Sequence, residues 1–306
     1  MMTPSDELLA RLIRRYAPEN YYAGANARCF RTIRQVTLFG RRPTITPTAD
    51  FHHRYVLLLG IGEGTGVVSG ARRHVVRRGQ ALLIPPFTLH RYEALDGARH
   101  PLAFLGFESD IGDDATDAVA LQGLDAGVVQ VSPDGWDLVA RIDRAFDANP
   151  ALAPALTLQL LELLVEATPL DSPTAVRHLD WERTQQVASL ARSYPTYGVP
   201  ELVRACGASE SVLRGAVFAT TAMPIARFMR MVRLQNTMAL VARRKLAAAT
   251  ERAGYATAEA YSKAFKAEFG LAPSRFADLA SKNRWYPRPH PEPSAEEGER
   301  SGSAAT

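Results

Sequence analysis

Lys263 and Lys266 stand three residues apart in AGYATAEAYSKAFKAEFG (253–270), with Glu259 and Ser262 at helical spacing beside them. Positions i, i+3, i+4 and i+7 share one side of a helix, so this side offers two ammonium groups, a hydroxyl and a carboxylate. Tyr261, Ala264 and Phe265 make a separate anchoring stripe. Such a slim cationic and hydrogen-bonding face suits binding in the major groove of a duplex. Bond-breaking chemistry would need a metal triad or an acid/base pair, and neither is found along the chain.

The pattern occurs twice. VLRGAVFATTAMPIARF (212–228) lies over AYSKAFKAEFGLAPSRF (260–276) at an offset of 48, with Leu213 over Tyr261, Ala216 over Ala264 and Val217 over Phe265. The outward face of the first copy is Glu210, Ser211, Arg214, Gly215 and Phe218; in the second, Ala258 joins Glu259, Ser262, Lys263 and Lys266. Upstream of each face, CG (206–207) and AG (253–254) mark a glycine turn, and Ser209 is placed to cap the helix that follows. Two helices meeting through such a turn form a helix-turn-helix unit. Arg214 and Lys263 are expected to contact bases or phosphates, supported by Ser211, Ser262 and Lys266. Glu210 and Glu259 would read cytosine amino groups or trim affinity. Between Pro224 and Arg243 the apolar spacing is helical with no breaker, and ~20 residues at ~1.5 Å each would make a ~30 Å rod, near the ~34 Å duplex turn.

Charge agrees with this placement. Residues 183–282 hold 15 Lys and Arg against 6 Asp and Glu, a surplus of nine, whereas the whole chain is only +4. The remainder therefore carries a deficit of five, and a basic third on an acidic body points to a polyanion partner. The chain has 306 residues, enough for two cores, and two cysteines, Cys29 and Cys206, too few for a disulfide framework. A reducing cytoplasm is expected. No stretch nears ~20 apolar residues, so no membrane span is expected.

The elements ahead of the repeat read differently. YVLLLG (55–60), ALLI (81–84) and PLAFLGF (101–107) are short strands separated by turns at GEGTG, SGARR and RRGQ. An amphipathic helix near Ser5 or Asp6 would turn Leu8, Leu9, Leu12 and Ile13 inward. After a connector over 111–130, helices are expected at 136–146 and 155–167. The second has a stripe of Leu156, Leu160, Leu163 and Leu164 and an apolar flank for the β-domain or a second subunit. DSPTAVRHLD (171–180) reads as a polar linker, and the residues after 282 as a disordered tail.

Residues 183–282 resemble the DNA-binding domain of AraC/XylS-type transcription regulators. The resemblance rests on GYATAEAYSKAFKAEFGLAPSRFADL (254–279) and extends through Arg233-Leu234. Departures are Ala249-Thr250, Glu259, Ala222 in place of a glycine, and Gly215, which weakens a helix by ~1 kcal/mol. The β-domain resembles the cupin-like sensor fold through FHHRYVLLLGIGEGTGVV (51–68) and RRGQALLIPPFTLHRYE (77–93), where Gly79, Pro85 and His90 keep the spacing and Phe87 replaces a glycine. Metal-binding cupins add two histidines and a glutamate. Here Arg54 or Tyr55 and Leu57–Leu59 fill those places, so neither metal nor other cofactor is expected.

These readings imply an α+β protein: an N-terminal cupin-like β-barrel with flanking helices, and an all-α C-terminal domain of two helix-turn-helix units joined by a long helix. The expected divisions are 1–110 sensor, 111–170 connector and dimerisation helices, 171–182 linker, 183–282 DNA-binding domain and 283–306 tail. The expected function is sequence-specific regulation of transcription on double-stranded DNA, as a homodimer, with RNA polymerase a candidate partner. A small-molecule effector would meet His53, Tyr55, Phe87, His90 and Tyr92, although His90 and Tyr92 could equally pack the barrel end. The alternatives are an adaptor whose repeat has lost DNA affinity and a cupin-type metalloenzyme.

Overall fold

The computed structural model describes residues 6–15, 33–70, 72–95, 101–109, 127–170, 174–175 and 179–281. Its N-terminal half is built on two antiparallel sheets. The strands are β1 (Ile33–Arg41), β2 (Tyr55–Gly60), β3 (Thr65–Ser69), β4 (Arg72–Val76), β5 (Gln80–Ile84), β6 (His90–Glu93), β7 (Leu102–Ser109), β8 (Val129–Gln130) and β9 (Thr174–Ala175). One sheet has the order β1-β7-β2-β5-β8 and the other β6-β3-β4-β9.

The near-continuous apolar run of β2 follows from burial on both faces. Leu57 and Leu59 join Leu83, Leu105 and Phe107 on one side, while Leu58 joins Leu82, Ile84 and Phe104 on the other. The outer side is covered by α1 (Asp6–Arg15), α2 (Pro133–Ala148) and α3 (Ala153–Val165), through Leu8, Leu12, Val139, Ile142 and Leu160. Ser132 caps α2, its hydroxyl accepting from the Gly135 amide at 3.1 Å. Arg11 holds α1 to α2 through Asp143 at 2.8 Å.

Three expectations need correction here. Ile13 is exposed rather than inward. The stretch read as a linker contributes β9, which pairs Thr174 with Arg73 and Ala175 with Arg72. The helix after it starts at Leu179. The expected cap Ser5, most of the 111–130 connector and the 283–306 tail lie outside the described residues.

The C-terminal half is helical: α4 (Leu179–Ser193), α5 (Val199–Cys206), α6 (Glu210–Thr221), α7 (Ile225–Gln235), α8 (Met238–Ala242), α9 (Leu246–Arg252), α10 (Ala258–Phe269) and α11 (Pro273–Ser281). The protein is thus α+β. The connector is not the uninterrupted rod expected. α7 has 11 residues, ~16 Å of helix, before a two-residue break at Asn236-Thr237. Thr237 sits at this break: its hydroxyl donates back to the Leu234 carbonyl at 2.7 Å and its amide bonds the same carbonyl at 3.1 Å. A threonine competing for a helix carbonyl leaves no mark in apolar periodicity.

Candidate nucleic-acid interface and barrel cavity

The repeat folds as two matching units. In the first, α5 ends at Gly207 in the left-handed region, φ 62°, and the Ser209 hydroxyl caps α6 by accepting from Val212 N at 3.3 Å. In the second, Gly254 has φ 76°, and a Cβ there would lie 2.6 Å from the Pro195 carbonyl oxygen. Thr257 then caps α10, accepting from Ala260 N at 3.2 Å. Both second helices have 12 residues and begin 48 residues apart, at Glu210 and Ala258.

Their anchoring faces differ. α6 buries Leu213 and Val217 against α4 and α7 in a core with Trp181, Met229 and Phe228, and Ala216 between them is buried too. α10 buries Tyr261, Phe265 and Phe269 in an aromatic cluster with Phe276, and Tyr261 meets the Thr237 hydroxyl at 2.7 Å. Burial pushes the Tyr261 phenol well above its ordinary value.

The outer faces differ in charge. Glu210, Ser211, Arg214, Gly215 and Phe218 are all exposed on α6. Arg214 donates from Nε to the Glu210 carboxylate at 2.8 Å, and its Nη2 lies 2.6 Å from the same oxygen, so the pair cancels its charge. On α10, Glu259, Lys263 and Lys266 are exposed and Ser262 is half-buried. One acidic residue on α10 has a different job that sequence reasoning missed. Glu268, 2% exposed, accepts from Arg227 at 3.1 Å and from Arg230 at 2.7 Å, tying α10 to the connector. Arg233 of the same helix donates to the Tyr197 carbonyl, so α7 braces both units. Arginines every three residues on the connector were the available signal.

The β-domain is joined to the first unit. Ala49 N donates to the Thr220 carbonyl at 2.7 Å. Gln185 of α4 uses both ends of its amide, accepting from Leu89 N at 3.0 Å and donating to the Phe87 carbonyl at 2.9 Å. Phe87 sits at φ 60°, a conformation that costs a non-glycine residue ~1–2 kcal/mol. Its ring is held there under Arg192, 5.2 Å from the guanidinium carbon.

A cavity of about 30 Å³, room for roughly two waters, lies between the sheets. Thr37, Phe39, Asp50, His52, His90 and Tyr92 are among its walls, with Phe51, Arg54 and Phe104. Of the five expected effector contacts, His90 and Tyr92 line it. The other three do not. Tyr55 stacks on Phe107 at 5.3 Å in the core beneath the helices, and His53 meets Glu108 at 3.2 Å. Phe87 belongs to the junction with α4. His52, not its neighbour His53, reaches the cavity, a distinction between adjacent residues that depends on local backbone direction.

His52 and His90 lie with ring centroids 4.7 Å apart. Nδ1 of His52 faces the Arg54 carbonyl at 2.8 Å and Nδ1 of His90 faces the Thr88 carbonyl at 3.1 Å. A carbonyl only accepts, so each Nδ1 carries the proton and each Nε2 keeps its lone pair. Burial holds both imidazoles below their ordinary pKa, with His90 further lowering His52. The cavity thus presents neutral acceptors between aromatic walls. Among the described residues, no group of three or more His, Cys, Asp or Glu is placed to hold a metal ion, and no helix is long and apolar enough to cross a membrane.

No family model and no curated protein matches the chain. Similar solved structures include ToxT from Vibrio cholerae O395, at 9% identity and a TM-score of 0.39 over 80% of this chain and 98% of that one. Another is the AraC-like transcriptional activator CuxR, at 17% identity and a TM-score of 0.32 over 72% and 76%. A cupin 2 domain-containing protein from Halorhodospira halophila matches at 22% identity and a TM-score of 0.21, over 33% and 71%. Likeness this remote carries no argument about function, which rests on the chain's own residues.

Proposed function

We propose that the chain is a sequence-specific DNA-binding transcription regulator of the AraC/XylS type, with a small-molecule effector site in the barrel. The observation that carries this is the duplicated, hydroxyl-capped unit on a stretch with nine surplus positive charges. Lys263 and Lys266 supply phosphate or base contacts in the second unit, with Ser262 and Glu259 beside them. In the first, Ser211 and Arg214 do so, with Glu210 setting the charge. The effector enters between His52, His90 and Tyr92 and moves Asp50-Phe51. That segment leads directly to Ala49, whose amide holds α6. The exposed Leu152, Leu163 and Val165 offer an apolar surface to a second copy.

The test is selection of bound fragments from a genomic DNA pool, followed by affinity measurement over a salt series. A recurring two-box motif and an affinity that falls steeply with salt are expected. Salt-independent binding, or no motif, would favour the adaptor reading, which the neutralised Glu210–Arg214 face supports.

A further inference from the structure

Phe218 is 60% exposed, the most exposed large apolar side chain among the described residues. It does not sit at random on α6. Ser211, Arg214, Gly215 and Phe218 fall at i, i+3, i+4 and i+7, one continuous stripe opposite the buried Leu213, Ala216 and Val217. A Cβ built on Gly215 meets nothing within 4 Å, so the stripe is flat one turn before the ring projects. The only formal charges on it and its edge, Glu210 and Arg214, satisfy each other.

With Arg214 paired to Glu210, this face gains less from phosphates than the cationic face of the second unit. In the major groove the apolar feature that distinguishes one base from the rest is the thymine 5-methyl group, and an aromatic side chain is among the groups suited to contact it. We propose that Phe218 reads thymine methyl groups, so that the first unit supplies apolar sequence discrimination while the cationic second unit supplies most of the electrostatic attraction. This rests on the DNA-binding reading above.

The test uses the full chain and a duplex recovered by the selection, with thymines replaced by deoxyuridine one box at a time. Removing one methyl contact is expected to weaken wild-type binding by roughly 4-fold in one box. Phe218→Ala should bind the thymine and uracil duplexes equally, and Phe218→Leu should retain part of the difference. Equal affinity of the wild type for both duplexes at every position, with steep salt dependence intact, would overturn this assignment and leave the regulator reading standing. Loss of salt-dependent binding altogether would overturn both. A change of sedimentation behaviour in Phe218→Ala, with methyl sensitivity unchanged, would assign the ring to a contact between copies and refute the proposal.

Discussion

The Phe51 ring, which lines the barrel cavity, packs edge-on against Phe228 of the connector helix, with centroids 5.3 Å apart and planes at 71°. One residue therefore touches both the cavity and the core of the first helix-turn-helix unit. Phe51→Ala removes that contact, and truncating a buried phenylalanine costs about 3–5 kcal/mol. We expect calorimetry of the variant to split into two transitions as the halves uncouple. A single transition, merely shifted down, would show that other contacts hold the halves together.

Glu210→Gln releases Arg214 from its carboxylate and adds one net positive charge to the α6 face. Binding to duplex should tighten, and the slope of log affinity against log salt should steepen by about 1. Lys263→Ala should change that slope by about 1 in the opposite sense. Unchanged slopes in both variants would place these faces away from the nucleic acid.

The buried histidines make stability fall with acid. Burial lowers His52, His53 and His90, opposed by Glu108 at His53 and Asp50 at His90, and aided by Arg54 and Arg41 respectively. With folded values below the unfolded ~6.5, the unfolded chain binds more protons as pH drops through that value. Their contribution is present in full above pH ~6.5 and is lost progressively below it. The urea midpoint should be lower at pH 5.5 than at 7.5, and His52→Gln should shrink the difference. Equal midpoints for the wild type would contradict the burial described.

Ala222 ends α6 at φ 56° with its Cβ in the left-handed region. That strain is ~1–2 kcal/mol, against an entropy gain of ~0.4–1 for a glycine in the unfolded chain. Ala222→Gly should therefore raise stability by about 0.5–1 kcal/mol in denaturant melts. A lower midpoint would mean that the alanine methyl packs more than its exposure suggests.

Thr237→Val leaves the Tyr261 hydroxyl without the 2.7 Å partner it has at the connector break, at a cost of about 1–3 kcal/mol. Adding Tyr261→Phe removes the stranded group as well, so the double variant should lose less than the two single variants summed. Strict additivity would argue against a direct bond.

What the chain's order of residues determined was whatever depends on near neighbours. Short apolar runs, period-3.6 apolar stripes, the hydroxyl cap at Ser209, glycine turns, and an internal repeat with its surplus of charge are all local properties, and each placed its element within a few residues. The tertiary structure alone decided which of two adjacent histidines enters the cavity and that Phe87 serves the junction with α4. It also decided that Glu268 is an internal brace and that the connector is interrupted at Thr237. Phe87 and Glu268 depend on partners 38 to 98 positions away, Gln185 for the one and Arg227 and Arg230 for the other. Pairings across that distance are chosen by packing and the burial of polar groups, which no local pattern encodes.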